Sequence, residues 1–284
     1  MFLGTQFRVP RATSRVPFPS MLTLEPHGDV TRLRLSSRRS RLVGYEVSAY
    51  LVRGVLVDTG FPAVRRDVER FLGERRPRGV AVTHWHEDHA GNVAAAARFG
   101  IPVAMAPATL DALRVPRRFP LYRSFTWGAM APLVETPAAF EPRDAALALV
   151  AAPGHSPDHH VLWDAERETL FSGDLFLGVK VRVAHASEDA RDLTRSLRVA
   201  AALRPRRLFD AHRGPIADPA GALLAKAAWI EETVGAIERR LAEGWSERAV
   251  TRELLGREPP EFYFSRGRLS KIGFVRGVKR QRNS

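Results

Sequence analysis

The segment His84-Trp85-His86-Glu87-Asp88-His89 places three imidazoles and the Asp88 carboxylate within six residues. Gly79 to Val82, just before it, reads as a short buried strand, so the cluster is delivered at a strand end. The His-x-His-x-Asp-His spacing makes alternate side chains converge there and redirects the next two. Imidazole nitrogens and carboxylate oxygens are borderline ligands that suit zinc and, less selectively, iron or manganese. The segment therefore reads as half of a metal site.

The other half lies downstream. Pro153-Gly154-His155, Ser172-Gly173-Asp174 and Ala211-His212 each come after a short apolar run and carry one potential ligand on a small-residue turn. Taken alone, a histidine after a strand is usually structural. Together with the hexapeptide, five of the nine histidines fall on such positions, and the ligand reading prevails. His159 and His160 lie close behind and either face the pocket or serve supporting and surface roles. His27 and His185 carry no motif.

Around these turns the pattern is mixed. Val47, Ala49 and Leu51 alternate as in a strand, Arg53-Gly54 turns, and Val55 to Val57 resumes an apolar run closed by Asp58-Thr59-Gly60. Ala63 to Leu72 and Asn92 to Phe99 read as helices, and Ile101 to Ala104 as a strand after the second of them. Residues 107–142 are rich in Pro, Arg and aromatics without a period, fitting either a substrate loop or a surface excursion. Strand signals return at 145–152, 161–163, 169–172 and 208–209, with a hairpin around 164–168. From Leu223 the period turns helical through Ala227, Ile230, Val234, Ile237 and Leu241. Gly244 stops that helix, Ser246 can cap another reaching Leu255, and 270–280 suggests a third.

Composition bounds the rest. The 284 residues suffice for one catalytic domain and a small appendage, 45% of them hydrophobic and 26% charged. With no cysteine, disulfides, thiolate ligands and cysteine nucleophiles are excluded. No apolar run approaches a membrane span and the N-terminus has no apolar signal region, so no membrane partner and a cytoplasmic location are expected. The net charge of +13 admits an anionic partner. Lys180, Lys226, Lys271 and Lys279 are the only lysines, so an arginine- and alanine-rich coding bias explains the charge more simply.

These motifs resemble those of the metallo-β-lactamase superfamily over roughly Val30 to Pro215. The resemblance implies an α/β fold, an αββα sandwich with a metal site along one edge. Residues 1–20, rich in Arg and Pro without a period, read as a loose tail, and the resemblance implies a catalytic domain over 21–218 and a helical, winged-helix-like module over 219–284. It also implies two divalent ions, zinc foremost with iron or manganese possible. His84, His86 and His155 would hold one; Asp88, His89 and His212 the other; Asp174 would bridge them. Two cations ~3.5–4 Å apart need such an anionic bridge and keep open positions for substrate. Asp88 doubles as the proton acceptor. Asp58 resembles the family's buried aspartate that orients the histidine loop, although a plain turn-forming role fits equally well.

Where zinc β-lactamases of the commonest class use cysteine, this chain has Asp174, a ligand set similar to the glyoxalase-II-like and ribonuclease-Z-like branches. His155 to His212 spans 58 residues, too few for the large insert of the nucleic-acid-processing branch. The resulting expectation is a hydrolase using metal-activated hydroxide on a small-molecule thioester or ester. The alternative is a nuclease cleaving RNA or DNA, with Arg266, Arg268, Lys271, Arg276, Lys279, Arg280 and Arg282 gripping phosphates. A non-enzymatic nucleic-acid-binding protein with a structural metal is the third, least economical reading.

Overall fold

The computed structural model describes residues 21–185 and 187–283, so the expected tail over 1–20 lies outside the described residues. Two sheets form its centre. The first holds six strands in chain order: β1 (Leu22–His27), β2 (Val30–Leu35), β3 (Val47–Val52), β4 (Val55–Val57), β5 (Gly79–Ala81) and β6 (Val103–Ala104). The first four pair antiparallel, while β4, β5 and β6 run parallel. The second sheet contains β7 (Ala148–Ala151), β8 (His160–Asp164), β9 (Thr169–Phe171), β11 (Arg207–Asp210) and β12 (Gly214–Ile216). Its order is β12-β11-β9-β8-β7, with β9 and β11 parallel. A two-residue ladder joins β10 (Ala184–His185) to β13 (Leu269–Ser270). Helices interrupt the first sheet's connections, among them the short α1 (Arg38–Leu42) between β2 and β3 and α3 (Glu87–Ala90), which begins within the histidine segment.

Strand alternation explains why the sheets stack. Tyr50, Val52, Val55, Val57 and Ala81 of the first sheet meet Leu162, Phe171 and Phe209 of the second in one buried layer. The intervening residues Ala49, Leu56 and Val80 point outward and pack with Val64, Val68 and Leu72 at α2 (Arg65–Arg75) and with Ala95 and Ala96 of α4 (Val93–Arg98). On the far side Val161, Leu170 and Leu208 pack under α7 (Ala190–Ala202), α8 (Pro219–Ala242) and α11 (Lys271–Asn283). A period of two thus supplies both an inter-sheet core and a helix-facing core, and the layering is the expected αββα sandwich.

Residues 107–142 differ from the aperiodic loop expected of them. They contain α5 (Pro107–Arg114) and α6 (Leu121–Trp127). Pro107 stands in the first turn of α5 and Pro120 caps α6, positions where the missing N–H costs nothing. These prolines start helices. The helix α7, capped by the Asp189 side chain, was also not anticipated. Downstream, Ser246 caps α9 (Glu247–Val250), which widens into a π-turn over 251–255. A short α10 (Pro260–Phe264) precedes α11. Among the described residues no helix is long and apolar enough to cross a membrane.

Candidate metal centre

Parallel pairing brings the turns to one edge. Since β4 and β5 run parallel, Asp58 and His84 leave the first sheet together; β9 and β11 do the same for Asp174 and His212. The sheets are tied there by Ser48 N donating to Ala211 O (2.6 Å) and the Tyr50 hydroxyl donating to Asp210 O (2.6 Å). All seven residues expected as ligands converge. His84, His86, His155 and Asp174 form one group, and Asp88, His89, His212 and Asp174 another, the ligand atoms of each lying within 4.8 Å of one another.

Asp174 divides its carboxylate between the groups. Its Oδ2 lies 3.3 Å from His155 Nε2, and its Oδ1 lies 3.2 Å from His89 Nε2 and 3.3 Å from His212 Nε2. Asp88 Oδ2 stands 3.4 Å from His212 Nε2. His86 Nδ1 is 3.0 Å from both His84 Nε2 and His155 Nε2. Ligand atoms ~2.0–2.1 Å from a tetrahedral zinc would be spaced about 3.3 Å apart. These edges match that spacing closely. His89 Nε2 and Asp174 Oδ1 are also buried without a hydrogen-bond partner. Facing acceptors at this distance repel unless a proton or cation lies between them, so the residues fit a pair of divalent ions.

The outward ring nitrogens explain which nitrogen faces in. His89 Nδ1 donates to Asp58 Oδ2 (2.8 Å) and His212 Nδ1 donates to Glu46 O (2.7 Å). Thr83 Oγ1 donates to Asp58 and so accepts from His84 Nδ1 (3.0 Å). Each bond fixes the tautomer that leaves an Nε2 lone pair inward. Asp58 is 3% exposed and also accepts from Thr83 N (2.8 Å), so it organises the loop rather than merely ending a strand.

Charge is set by the same geometry. Burial holds His84 and His86 well below the usual imidazole range, so both stay neutral and able to ligate. Burial would do the same to His89 and His212, but Asp174 and its fellow carboxylates outweigh it and push both well above that range. Burial opposes ionisation of Asp174, yet the surrounding His89, His212 and His155 hold its carboxyl well below the usual range. Protons on His89 and His212 thus balance the carboxylates of the site, a place that bound cations could take instead.

His159, which the sequence left between a pocket-facing and a supporting role, takes the supporting one, while the other contributors had little sequence signal of their own. His159 is fully buried; its Nδ1 donates to Ala152 O (3.1 Å) and its Nε2 accepts from Asp174 N (3.0 Å). Burial keeps it neutral, its pKa lowered to about 3. Gly173 is required beside it, since a Cβ there would lie 2.8 Å from His159 Nε2 at a φ of +50°. Glu87, fully buried, pairs through both oxygens with Arg123 of α6. Lys226 of α8 donates to Leu175 O (3.0 Å) and Phe176 O, immediately after Asp174. Asp210, a turn-forming Asp two residues before His212, accepts from His212 N, Arg213 N and Leu177 N. His160 bonds locally to Asp158 O, and His185 lines the cavity above the ligand groups.

That cavity, about 450 Å³, has walls from Tyr45, Tyr122, Trp127, Glu261, Phe264 and Leu269. Both the 107–142 segment and the C-terminal helices therefore shape it.

Comparison with known proteins agrees with this geometry. Residues 42–212 match the sequence profile of the Metallo-beta-lactamase superfamily. The chain is 28% identical over 221 residues to a Caenorhabditis elegans protein named Beta-lactamase-like protein 2 homolog, covering 70% of this chain and 68% of that one. It is 32% identical over 154 residues to the thioesterase pkgB of Emericella nidulans, covering 53% of this chain but 39% of that one. Among solved structures, a metallo-beta-lactamase family protein from Thermus thermophilus superposes with a TM-score of 0.57 at 20% identity, over 92% of this chain and 94% of its own. The metallo-β-lactamase FIM-1 from Pseudomonas aeruginosa, in a mono-zinc form, gives 0.57 at 18% identity, over 74% and 95%. With its ligand turns inside the matched region, the chain belongs to the metallo-β-lactamase superfamily and is a metal-dependent hydrolase.

Proposed function

We propose that this enzyme is a dinuclear, zinc-dependent hydrolase of acyl bonds, thioesters or esters of small molecules. The observation that carries this reading is the site's concave shape: both ligand groups face an open cavity of about 450 Å³ whose walls include Tyr45, Tyr122, Trp127 and Phe264. That volume suits a small molecule. One relative is named a thioesterase, which points the same way. Three of the seven C-terminal cations are also engaged by the fold. Arg276 and Lys279 pair with Glu247, and Lys271 donates to Leu255 O and Arg257 O. We read residues 219–284, expected to form a winged-helix-like module, as a cavity wall.

His84, His86 and His155 would hold one ion, Asp88, His89 and His212 the other, with Asp174 shared. When bound, such ions lower the pKa of coordinated water and polarise the carbonyl under attack. The chain's own residues do the rest. Asp58, Thr83, Glu46 and His159 fix the ligands, so no reorganisation is needed during turnover. Asp88, largely buried beside His212, is ionised and receives the proton of the attacking water at its carboxylate. Burial opposes that ionisation, but His89 and His212 overcome it and keep its pKa below the usual range.

The test is paired hydrolysis by zinc-loaded protein of a thioester panel and of single-stranded RNA, with Asp174→Ala as the blank. Thioester turnover lost in the variant, with RNA untouched, is the expected result. RNA cleavage that depends on Asp174, with thioesters untouched, would replace this reading with the nuclease.

A further inference from the structure

The cavity mouth carries positive charge that the fold does not neutralise. Five acidic side chains line the cavity, and each is engaged. Asp88 and Asp174 belong to the ligand groups. Glu46 pairs with Arg34 (2.6 Å) and Glu261 with Arg182 (2.9 Å). Glu188 accepts from His185 N (3.0 Å). Arg213 and Lys180, by contrast, are exposed on the same lining, and neither has a carboxylate within 4.0 Å among the described residues.

Arg213 is also held in place. Its backbone N–H donates to Asp210 Oδ1 (2.8 Å), the same oxygen that takes the N–H of His212 (2.9 Å). Its Nε donates to Leu177 O (2.7 Å). The guanidinium lies flat against Gly178, whose φ is +108°; a Cβ there would stand 2.8 Å from Nη2. One edge of the fork is thus fixed to the backbone, one residue from a proposed ligand, while the Nη atoms make no hydrogen bond to any described residue. A guanidinium costs several rotamers to fix, and the single carbonyl of Leu177 uses only one of its five N–H donors. Its free edge matches a planar carboxylate or a phosphate.

Resting on the acyl-hydrolase reading, we propose that Arg213, supported by Lys180, is an anion-binding subsite that selects acyl substrates bearing a carboxylate or phosphate. The anion docks at the mouth while the scissile carbonyl reaches the ligand groups below. A carboxylate would sit on the acyl side of the bond, a phosphate on the thiol side.

The experiment compares three thioesters on zinc-loaded protein: butyryl and hemisuccinyl esters of N-acetylcysteamine, and butyryl-coenzyme A. Selectivity for a charged member over the neutral one should fall about 10- to 100-fold in Arg213→Ala, the worth of a charge-assisted hydrogen bond. It should fall less in Arg213→Lys, which keeps the charge but not the fork. Loss on the hemisuccinyl ester alone identifies an acyl carboxylate; loss on the coenzyme A ester alone identifies a phosphate. Equal loss on all three, or none, overturns the subsite. Zinc content measured alongside separates misfolding, and Arg213→Gln, which can still donate to Leu177 O, repeats the test. Should the wild type cleave none of the three, the acyl reading fails, and calorimetric titration of succinate and inorganic phosphate decides the subsite. Weaker binding of either anion by Arg213→Ala upholds it; unchanged binding of both overturns it.

Discussion

Asp58 Oδ2 lies 2.8 Å from His89 Nδ1, on the far side of the ring from the Nε2 that faces Asp174 at 3.2 Å. One buried carboxylate therefore sets the tautomer and basicity of a proposed ligand whose inner nitrogen has no hydrogen-bond partner among the described residues. Through Thr83 it reaches His84 as well, so it acts on both ligand groups. Asp58→Asn should keep the fold and weaken zinc binding about 10-fold, and Asp58→Ala about 100-fold. Chelator competition on folded protein checks this; unchanged affinity in both variants would reduce Asp58 to a turn residue.

The convergence of the seven candidate ligands was legible because their signal is local. Three histidines and an aspartate in six residues need no tertiary information, and the apolar runs before His155, Asp174 and His212 mark strand ends. Sheet alternation was legible at Val47, Ala49 and Leu51 for the same reason. What stayed hidden was long-range. Arg123 and Glu87 are 36 residues apart, and Lys226 sits 50 residues from Phe176, so no window contains either pair. The helices α5 and α6 were hidden differently, behind prolines whose placement at helix starts only the structure reveals.

Protons and metal should compete at this centre. Asp174 and neighbouring carboxylates push His89 and His212 well above the usual imidazole range, so the metal-free protein carries protons there at neutral pH. Zinc must displace them. Apparent affinity should therefore rise with pH, by about tenfold per unit for each proton released, and fall as acid is added. Calorimetry in buffers of different ionisation enthalpy should show release of about two protons per fully loaded protein. No release would mean that the two imidazoles are neutral before metal arrives.

The Glu87–Arg123 pair joins the histidine loop to α6, with side-chain exposures of 0% and 17%. Arg123 also stacks near Trp85 and Phe119, at 5.9 and 5.8 Å from the ring centroids. Removing one partner strands a buried charge, so Arg123→Ala should cost about 3–5 kcal/mol. Replacing both, as Glu87→Leu with Arg123→Met, should cost much less, because the desolvation penalty goes with the charges. Urea unfolding of the two variants makes the comparison. Equal losses would show that α6 is held by its aromatic contacts instead.

Lys226 gives a pH dependence of stability with a definite sign. Burial lowers its pKa to about 8 in the folded protein, against an ordinary value near 10.5. Below pH 8 both folded and unfolded chains hold the proton, and the cost of burying the charge is fully present. Between about 8 and 10.5 the unfolded chain binds more protons, so stability rises with pH across that window. The whole effect is about 3 kcal/mol by linkage. Lys226→Met lacks this titration but leaves Leu175 O and Phe176 O without their donor, costing about 1–3 kcal/mol. Urea melts at pH 7 and pH 10 should therefore show the wild type gaining on the variant as the pH rises. A constant difference would mean that the ammonium keeps its proton through the window, held by the two carbonyls that come after Asp174.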